Sequence, residues 1–178
     1  MTDTRWLDAE EQRAWRAYLD ATRLMIRAFD QQLQTDAEVS FTDYELLVKL
    51  SEAPGRRLRM RDLADATMST RSGVTRAVTR LEQLGWVRRV ECEDDRRGTH
   101  AELTPAGLAK LAAAAPGHVT AVREHLFDQL TPAQVDHLAE AFGQVADALQ
   151  RPRAGGAQPE PDSRGDGHAR RISAARAG

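Results

Sequence analysis

The sequence predicts a mainly α-helical protein with one small β-hairpin, and three observations carry that prediction. Apolar residues recur at threes and fours over most of the stretch from Arg5 to Gln150, the spacing that gathers them on one helix face. Strand-like alternation occurs in one place, where "WVRRVECE" and "THAEL" flank a charged cluster. Helix starts are marked by capping chemistry at Thr42, Thr104 and Thr131, the last two followed directly by proline.

From Arg5 to Gln34 the positions Leu7, Trp15, Tyr18, Leu19, Met25, Ile26, Phe29 and Leu33 define one long helix, free of Pro and Gly. A second helix begins in "SFTDYELLVKL", with Thr42 as cap and Glu45 completing a capping box, and stops at "APG", residues 53–55. A short helix in "RMRDLADAT" turns Met60, Leu63 and Ala64 inward. The next segment, "STRSGVTRAVTRLEQLGW", has two faces: Val74, Ala77, Val78, Leu81 and Leu84 form an apolar stripe, while Arg71, Ser72, Thr75, Arg76, Thr79, Arg80 and Gln83 fall on the other side. Glu82 sits toward the flank, and Gly85 ends the helix as a residue able to take positive φ. After the hairpin, "LTPAG" and "LTPAQ" open two more helices, the second with Gln134 completing a capping box, and a break or bend is expected near Pro116 and Gly117. Their apolar residues, among them Leu126, Phe127, Leu130, Val135, Leu138 and Phe142, exceed what a helical hairpin can hide. From Arg151 onward the chain is rich in Pro, Gly and Arg with almost no large apolar residue, a composition that predicts disorder.

The net charge of -2 hides a strong division along the chain. Residues 1–55 carry -5, residues 56–97 carry +4, residues 98–150 carry -4, and the tail carries +3. A basic centre between acidic arms is expected when only the middle segment meets a polyanion. The polar face of the 69–83 segment holds arginines and hydroxyls and no acid, whereas a solvated helix face mixes signs, so it points to phosphates and base edges. No apolar run reaches the roughly 18–20 residues of a membrane span, and the N-terminus is acidic where a signal peptide is basic and then apolar. The expectation is a cytoplasmic protein. One cysteine, Cys92, permits no internal disulfide and no Cys-rich zinc cage.

The order helix, helix, helix, strand, wing, strand resembles a winged helix-turn-helix. Residues 58–107 resemble the DNA-binding core of the multiple antibiotic resistance regulator (MarR) family, most specifically in the Asp-x-Arg of Asp95 and Arg97 followed by Leu103, Thr104 and Gly107. With the long first helix and the two last helices, the resemblance covers residues 5–150. It implies an intertwined homodimer: residues 5–34 and 105–150 form the dimerisation helices, residues 42–104 the DNA-binding lobe with its wing at 93–99, and 151–178 remain a disordered basic tail. Leu7, Trp15, Leu126, Phe127, Leu130, Val135, Leu138 and Phe142 would then be covered by the second subunit. A near-palindromic operator in double-stranded DNA is the implied partner.

Carried onto this chain, the resemblance makes Ser69, Thr70, Arg71, Ser72, Thr75 and Arg76, with Arg80 less central, the candidates for groove and phosphate contacts. Arg97 would reach the minor groove from the wing tip while Asp95 holds its guanidinium, Arg96 would touch a phosphate, and Gly98 would supply the turn. Arg57, Arg59 and Arg61 could clamp the DNA backbone or simply be solvated. A ligand-responsive repressor is implied, with an effector of unknown identity near Trp15, Tyr18 and Tyr44, each of which also reads as plain core.

Other readings are weaker. The acids at Glu91, Glu93, Asp94 and Asp95 fit no 12-residue calcium loop, and neighbouring arginines would repel a cation. Cys92 as an oxidation sensor is opposed by the acids beside it. His118, His125 and His137 make no metal-ligand spacing. No nucleophile with a base and no phosphate-cradling glycine loop appears, so neither an enzyme nor a cofactor is expected. A winged-helix module for protein contacts and a regulator that senses oxidation through Cys92 are the alternatives.

Overall fold

The computed structural model describes residues 3–67, 69–91 and 99–151. Its first helix, α1 (Ala9–Ala37), starts four residues later than the periodicity suggests, because Asp8 is a strong stop for the preceding chain. The Asp8 carboxylate accepts from the amides of Glu10 and Glu11, both at 2.8 Å, and the Glu11 carboxylate accepts from the Asp8 amide in return. Glu38, in the left-handed region at φ 50°, closes the helix by donating to Gln34 O. Helix α2 (Phe41–Glu52) is capped by Ser40 rather than Thr42. The Phe41 amide donates to Asp30 Oδ1 on α1 at 2.8 Å, which fixes the entry point, and Ser40 Oγ then accepts from the Asp43 amide at 3.1 Å. Thr42 lies inside the first turn.

Strand β1 (Arg57–Arg59) was not expected from the sequence. It is followed at once by α3 (Met60–Asp65), then α4 (Arg71–Gln83), β2 (Val87–Glu91) and β3 (Thr99–Leu103). The sheet order is β1-β3-β2, antiparallel throughout, with Leu58 and Arg89 both facing Ala101 from opposite sides. The expected hairpin is therefore present as a pair, with β1 added on the far edge of β3. Gly85 takes φ 72° after α4, and the Trp86 amide returns to Leu81 O at 2.9 Å, so the chain passes from helix into strand across Leu84, Gly85 and Trp86. Leu84, expected in the apolar stripe, is the C-cap and half exposed, since the helix ends before it can turn inward.

Helix α5 (Pro105–His125) continues through Pro116, so the expected break does not occur there. Proline removes one hydrogen bond and presses on the carbonyl four residues earlier. Gly117 serves contact with α1, because a Cβ at that position would lie 2.9 Å from Gln32 Nε2. Thr104 caps α5 by accepting from Gly107 N at 3.0 Å while donating to Gly85 O at 2.7 Å, which ties the helix start to the end of α4. Gly107 passes so close to Trp86 that a Cβ would stand 2.1 Å from its carbonyl oxygen. A 3-10 turn at Phe127–Gln129 leads to α6 (Pro132–Gln150), whose Thr131–Gln134 capping box forms as the sequence predicts.

The chain divides into two units, the first ending at Val135 and the second beginning at Asp136. The core of the first gathers Leu33, Leu46, Leu47, Leu50, Leu63, Val74, Val78, Leu81, Val87 and Ala101, all nearly inaccessible to solvent. Each such leucine contributes roughly 1.5–3 kcal/mol by leaving water. Among the described residues of the second unit no side chain is buried, and Phe142, Val145 and Leu149 are exposed.

Candidate nucleic-acid interface

Helix α4 divides its two faces cleanly. Val74, Ala77, Val78 and Leu81 are buried against the core, and Arg71, Ser72, Thr75, Arg76, Thr79 and Arg80 are exposed. Thr70 Oγ1 accepts from Gly73 N at 3.1 Å and lies 3.2 Å from Ser72 Oγ, so the first turn is held by hydroxyls. No acid occupies that turn. The unpaired amides and the positive end of the helix dipole are therefore open to an anion, with Arg71 alongside. Among the described residues no acid pairs with Arg71 or Arg76.

Three side-chain arms fix this helix in place. From α2, Asp43 receives the Arg80 guanidinium in a fork, Nε to Oδ2 at 3.0 Å and Nη2 to Oδ1 at 2.5 Å. That hydrogen bonding raises the Arg80 pKa above its ordinary value, against a smaller opposing effect of burial. From β2, Arg89 donates to the Glu82 carboxylate and to Thr79 Oγ1 at 2.9 Å. The Glu82 carboxylate also accepts from the Arg89 amide at 3.2 Å. From the start of α5, Thr104 holds Gly85 and Trp86 behind the helix end. The acid on the flank of α4 is thus neutralised by the strand beside it, leaving the outward face cationic.

The predicted contact residues separate into groups. Arg71, Ser72, Thr75 and Arg76 share the exposed face of α4, and Ser69 and Thr70 precede it. Thr70 is committed to capping, and Thr75 Oγ1 donates back to Arg71 O at 2.9 Å. Arg80, on the same face, is paired with Asp43. Asp95, Arg96, Arg97, Gly98 and Cys92 lie outside the described residues. Arg57 and Arg59 fall on β1, and Arg61 opens α3 with its Nε 3.2 Å from Asp62 Oδ1.

Sequence reasoning undervalued two features. Asp43 reads as an ordinary first-turn acid, and only the fold brings α4 to it across 37 positions. His118 packs against Tyr44, with ring centroids 4.6 Å apart, and against Phe29 and Phe41. Burial lowers its pKa and raises that of Tyr44, and among the described residues His118 Nδ1 has no hydrogen-bond partner. Tyr44 is core as expected. Trp15 and Tyr18 are not: they stack on one another at 5.8 Å and remain exposed.

The likenesses to known proteins follow this geometry. The sequence model of the MarR family matches residues 38–98. The HTH-type transcriptional regulator PecS of Dickeya dadantii is 32% identical over 83 residues, which is 47% of this chain and 49% of that protein. The transcriptional repressor MprA of Escherichia coli is 26% identical over 113 residues, 64% of each chain. The match thus spans between about half and two-thirds of these relatives' length. Two solved structures from Streptomyces coelicolor are matched far more fully. Sco3205, a MarR family transcriptional regulator solved in complex with DNA, is 50% identical, covers 85% of this chain and 94% of its own, and superposes with a TM-score of 0.78. AbsC, a MarR family transcriptional regulator, is 44% identical, covers 82% and 98%, and gives 0.74. Agreement in sequence, extent and fold with these two structures places the chain in the MarR family.

Proposed function

We propose that this protein regulates transcription by binding a near-palindromic site in double-stranded DNA as a homodimer. The observation that carries the reading is the exposed face of α4, cationic and hydroxyl-bearing on a helix whose opposite face is wholly buried. A helix held by Asp43, Arg89 and Thr104 can enter a major groove without yielding, and its first turn offers amides, Arg71 and Ser72 to phosphate and base edges. Arg76 follows one turn later. The complex of the similar Sco3205 with DNA supports the same use of the fold.

Dimerisation is supported by apolar side chains that one chain leaves in water: Leu7 and Trp15 on the N-terminal side, Phe127 in the turn after α5, and Phe142 on α6, with Leu126, Leu130, Val135 and Leu138 half buried. Two-fold symmetry would set half-sites about one helical turn of DNA apart. Repression rather than activation accords with the description of MprA and of the similar YetL of Bacillus subtilis as repressors. Response to a small-molecule effector of unknown identity is part of the proposal, as the likeness to the MarR family implies.

A fluorescence titration with duplex DNA tests the reading. Log affinity should fall linearly with log salt, Ser72→Ala and Arg76→Ala should change which bases are preferred, and Arg97→Ala should weaken binding to all sequences and flatten the salt slope. Absence of duplex binding at low salt would refute DNA as the partner. Equal affinity for wild type and Arg97→Ala would refute the wing assignment.

A further inference from the structure

We infer that Asp43 is a positioning residue that withholds Arg80 from DNA phosphate, so that the Asp43–Arg80 pair both orients α4 and limits sequence-blind binding. The inference rests on α4 being the DNA-contacting helix, as proposed above. Asp43 is the one charged side chain buried among the described residues, 5% exposed, whereas the Arg80 side chain is 49% exposed. The asymmetry matters. Arg80 lies one turn beyond Arg76 along the outward side of α4, and a half-exposed guanidinium there, if unheld, would reach for the nearest backbone phosphate. Such a contact adds affinity for every sequence equally.

Asp43 prevents this by geometry and by solvation. Its two oxygens take Nε and Nη2 separately, so the planar guanidinium is fixed in orientation relative to α2 as well as in distance. Asp43 cannot follow Arg80 outward, because its own amide donates to Ser40 Oγ within the first turn of α2. If Arg80 moved to a phosphate, a buried carboxylate would be left without its cation, which is strongly unfavourable. The pair therefore outcompetes phosphate, and α4 approaches DNA with Arg71, Ser72, Thr75 and Arg76 leading.

The consequence has a sign that loss of structure cannot imitate. Asp43→Asn should release Arg80, so affinity for a mixed-sequence duplex should rise several-fold. The slope of log affinity against log salt should steepen by about 0.9, the value for one added phosphate contact. Preference for the best duplex selected by the wild type from a random library should fall. Adding Arg80→Gln to Asp43→Asn should return the slope to the wild-type value, and Arg80→Lys, which keeps the charge but loses the fork, should lower preference while leaving the Asp43 partner present. Circular dichroism at the titration temperature shows which variants are folded. Should Asp43→Asn not fold, Arg80→Lys alone decides: unchanged preference overturns the inference. An unchanged or weaker mixed-duplex affinity in folded Asp43→Asn, or a steepened slope that persists in the double variant, overturns it as well. Wild-type protein that binds no duplex would instead refute the proposed function itself.

Discussion

Leu47 and Leu149 are the same residue, each placed on an amphipathic helix by the same spacing of threes and fours, yet Leu47 is inaccessible and Leu149 is 80% exposed. The lobe that contains Leu47 is completed by its own chain: α2, α3 and α4 close over the sheet and leave a dry core. On the N-terminal half of α1 and on α6, Trp15, Leu19, Phe142 and Val145 are each about half exposed. Identical periodicity therefore reports that a face wants burial without reporting what buries it. The lobe is closed by its own chain, and the long helices leave apolar side chains exposed.

The sharpest way to break this contrast is to truncate both leucines. Leu47→Ala should cost about 2–5 kcal/mol in urea unfolding, the range for a buried leucine whose cavity does not collapse. Leu149→Ala should leave the lobe intact and instead shift the light-scattering mass toward the 19.7 kDa monomer at concentrations where the wild type is dimeric. A purely monomeric wild type at micromolar concentration would show that the exposed stripes are not an interface.

Next in size is Gly107→Ala, which tests how finished the lobe is. The added Cβ would meet the Trp86 backbone carbonyl at 2.1 Å, and a backbone atom held by the sheet and by Thr104 has little freedom to move. A loss of about 1–3 kcal/mol is expected, measured by thermal or urea unfolding. The same substitution at Gly143 on α6, where a Cβ meets nothing within 4 Å, should stabilise the helix slightly. Equal effects at both sites would contradict the comparison.

The repeated "LTPA" makes a finer test, because one capping device occurs once in each environment. Thr104 Oγ1 accepts from Gly107 N and donates to Gly85 O, joining α5 to the end of α4. Thr131 Oγ1 accepts only a long bond, 3.4 Å, from Gln134 N at an exposed helix start. Thr104→Ala should cost about 2 kcal/mol and Thr131→Ala about 0.5 kcal/mol, the two ends of the usual capping range. Unfolding midpoints that do not differ would show that the tie to Gly85 adds nothing.

What the sequence revealed follows the same line. Strand β3 coincides with "THAEL", Gly85 and Thr104 act as their residue types require, and the buried stripe of α4 was legible apart from Leu84, because each depends on neighbours a few positions away. Strand β1 was not legible, since three residues carry no period and owe their conformation to pairing with β3 some 42 positions on. The Ser40 cap was missed because the choice between Ser40 and Thr42 is made by Asp30, on another helix. Asp43 and Arg80 were each visible as charges, and their fork was not. The candidate contact face on α4 was readable because a helix sorts its own faces; what steadies that face came from elsewhere in the fold.

The smallest expected effect probes the boundary between the two regions, where α1 and α5 leave His118 against Tyr44 of the lobe. Burial disfavours the imidazolium there, so the folded-state pKa lies below the ordinary 6.5. The unfolded chain then binds more protons than the folded one between these two values, and stability rises with pH across that window. It is fully present above about pH 6.5 and declines as pH falls toward the folded-state pKa, reaching its full loss below it. Among the described residues no partner of Nδ1 holds a proton that would offset the decline. His118→Gln cannot take up the proton, and the difference between its unfolding free energy and that of the wild type should change with pH in the wild-type-disfavouring direction on acidification. A difference that stays constant from pH 7.5 to pH 5 would mean that water reaches the ring, and that the α1–α5 side of the lobe is less closed than its aromatic packing indicates.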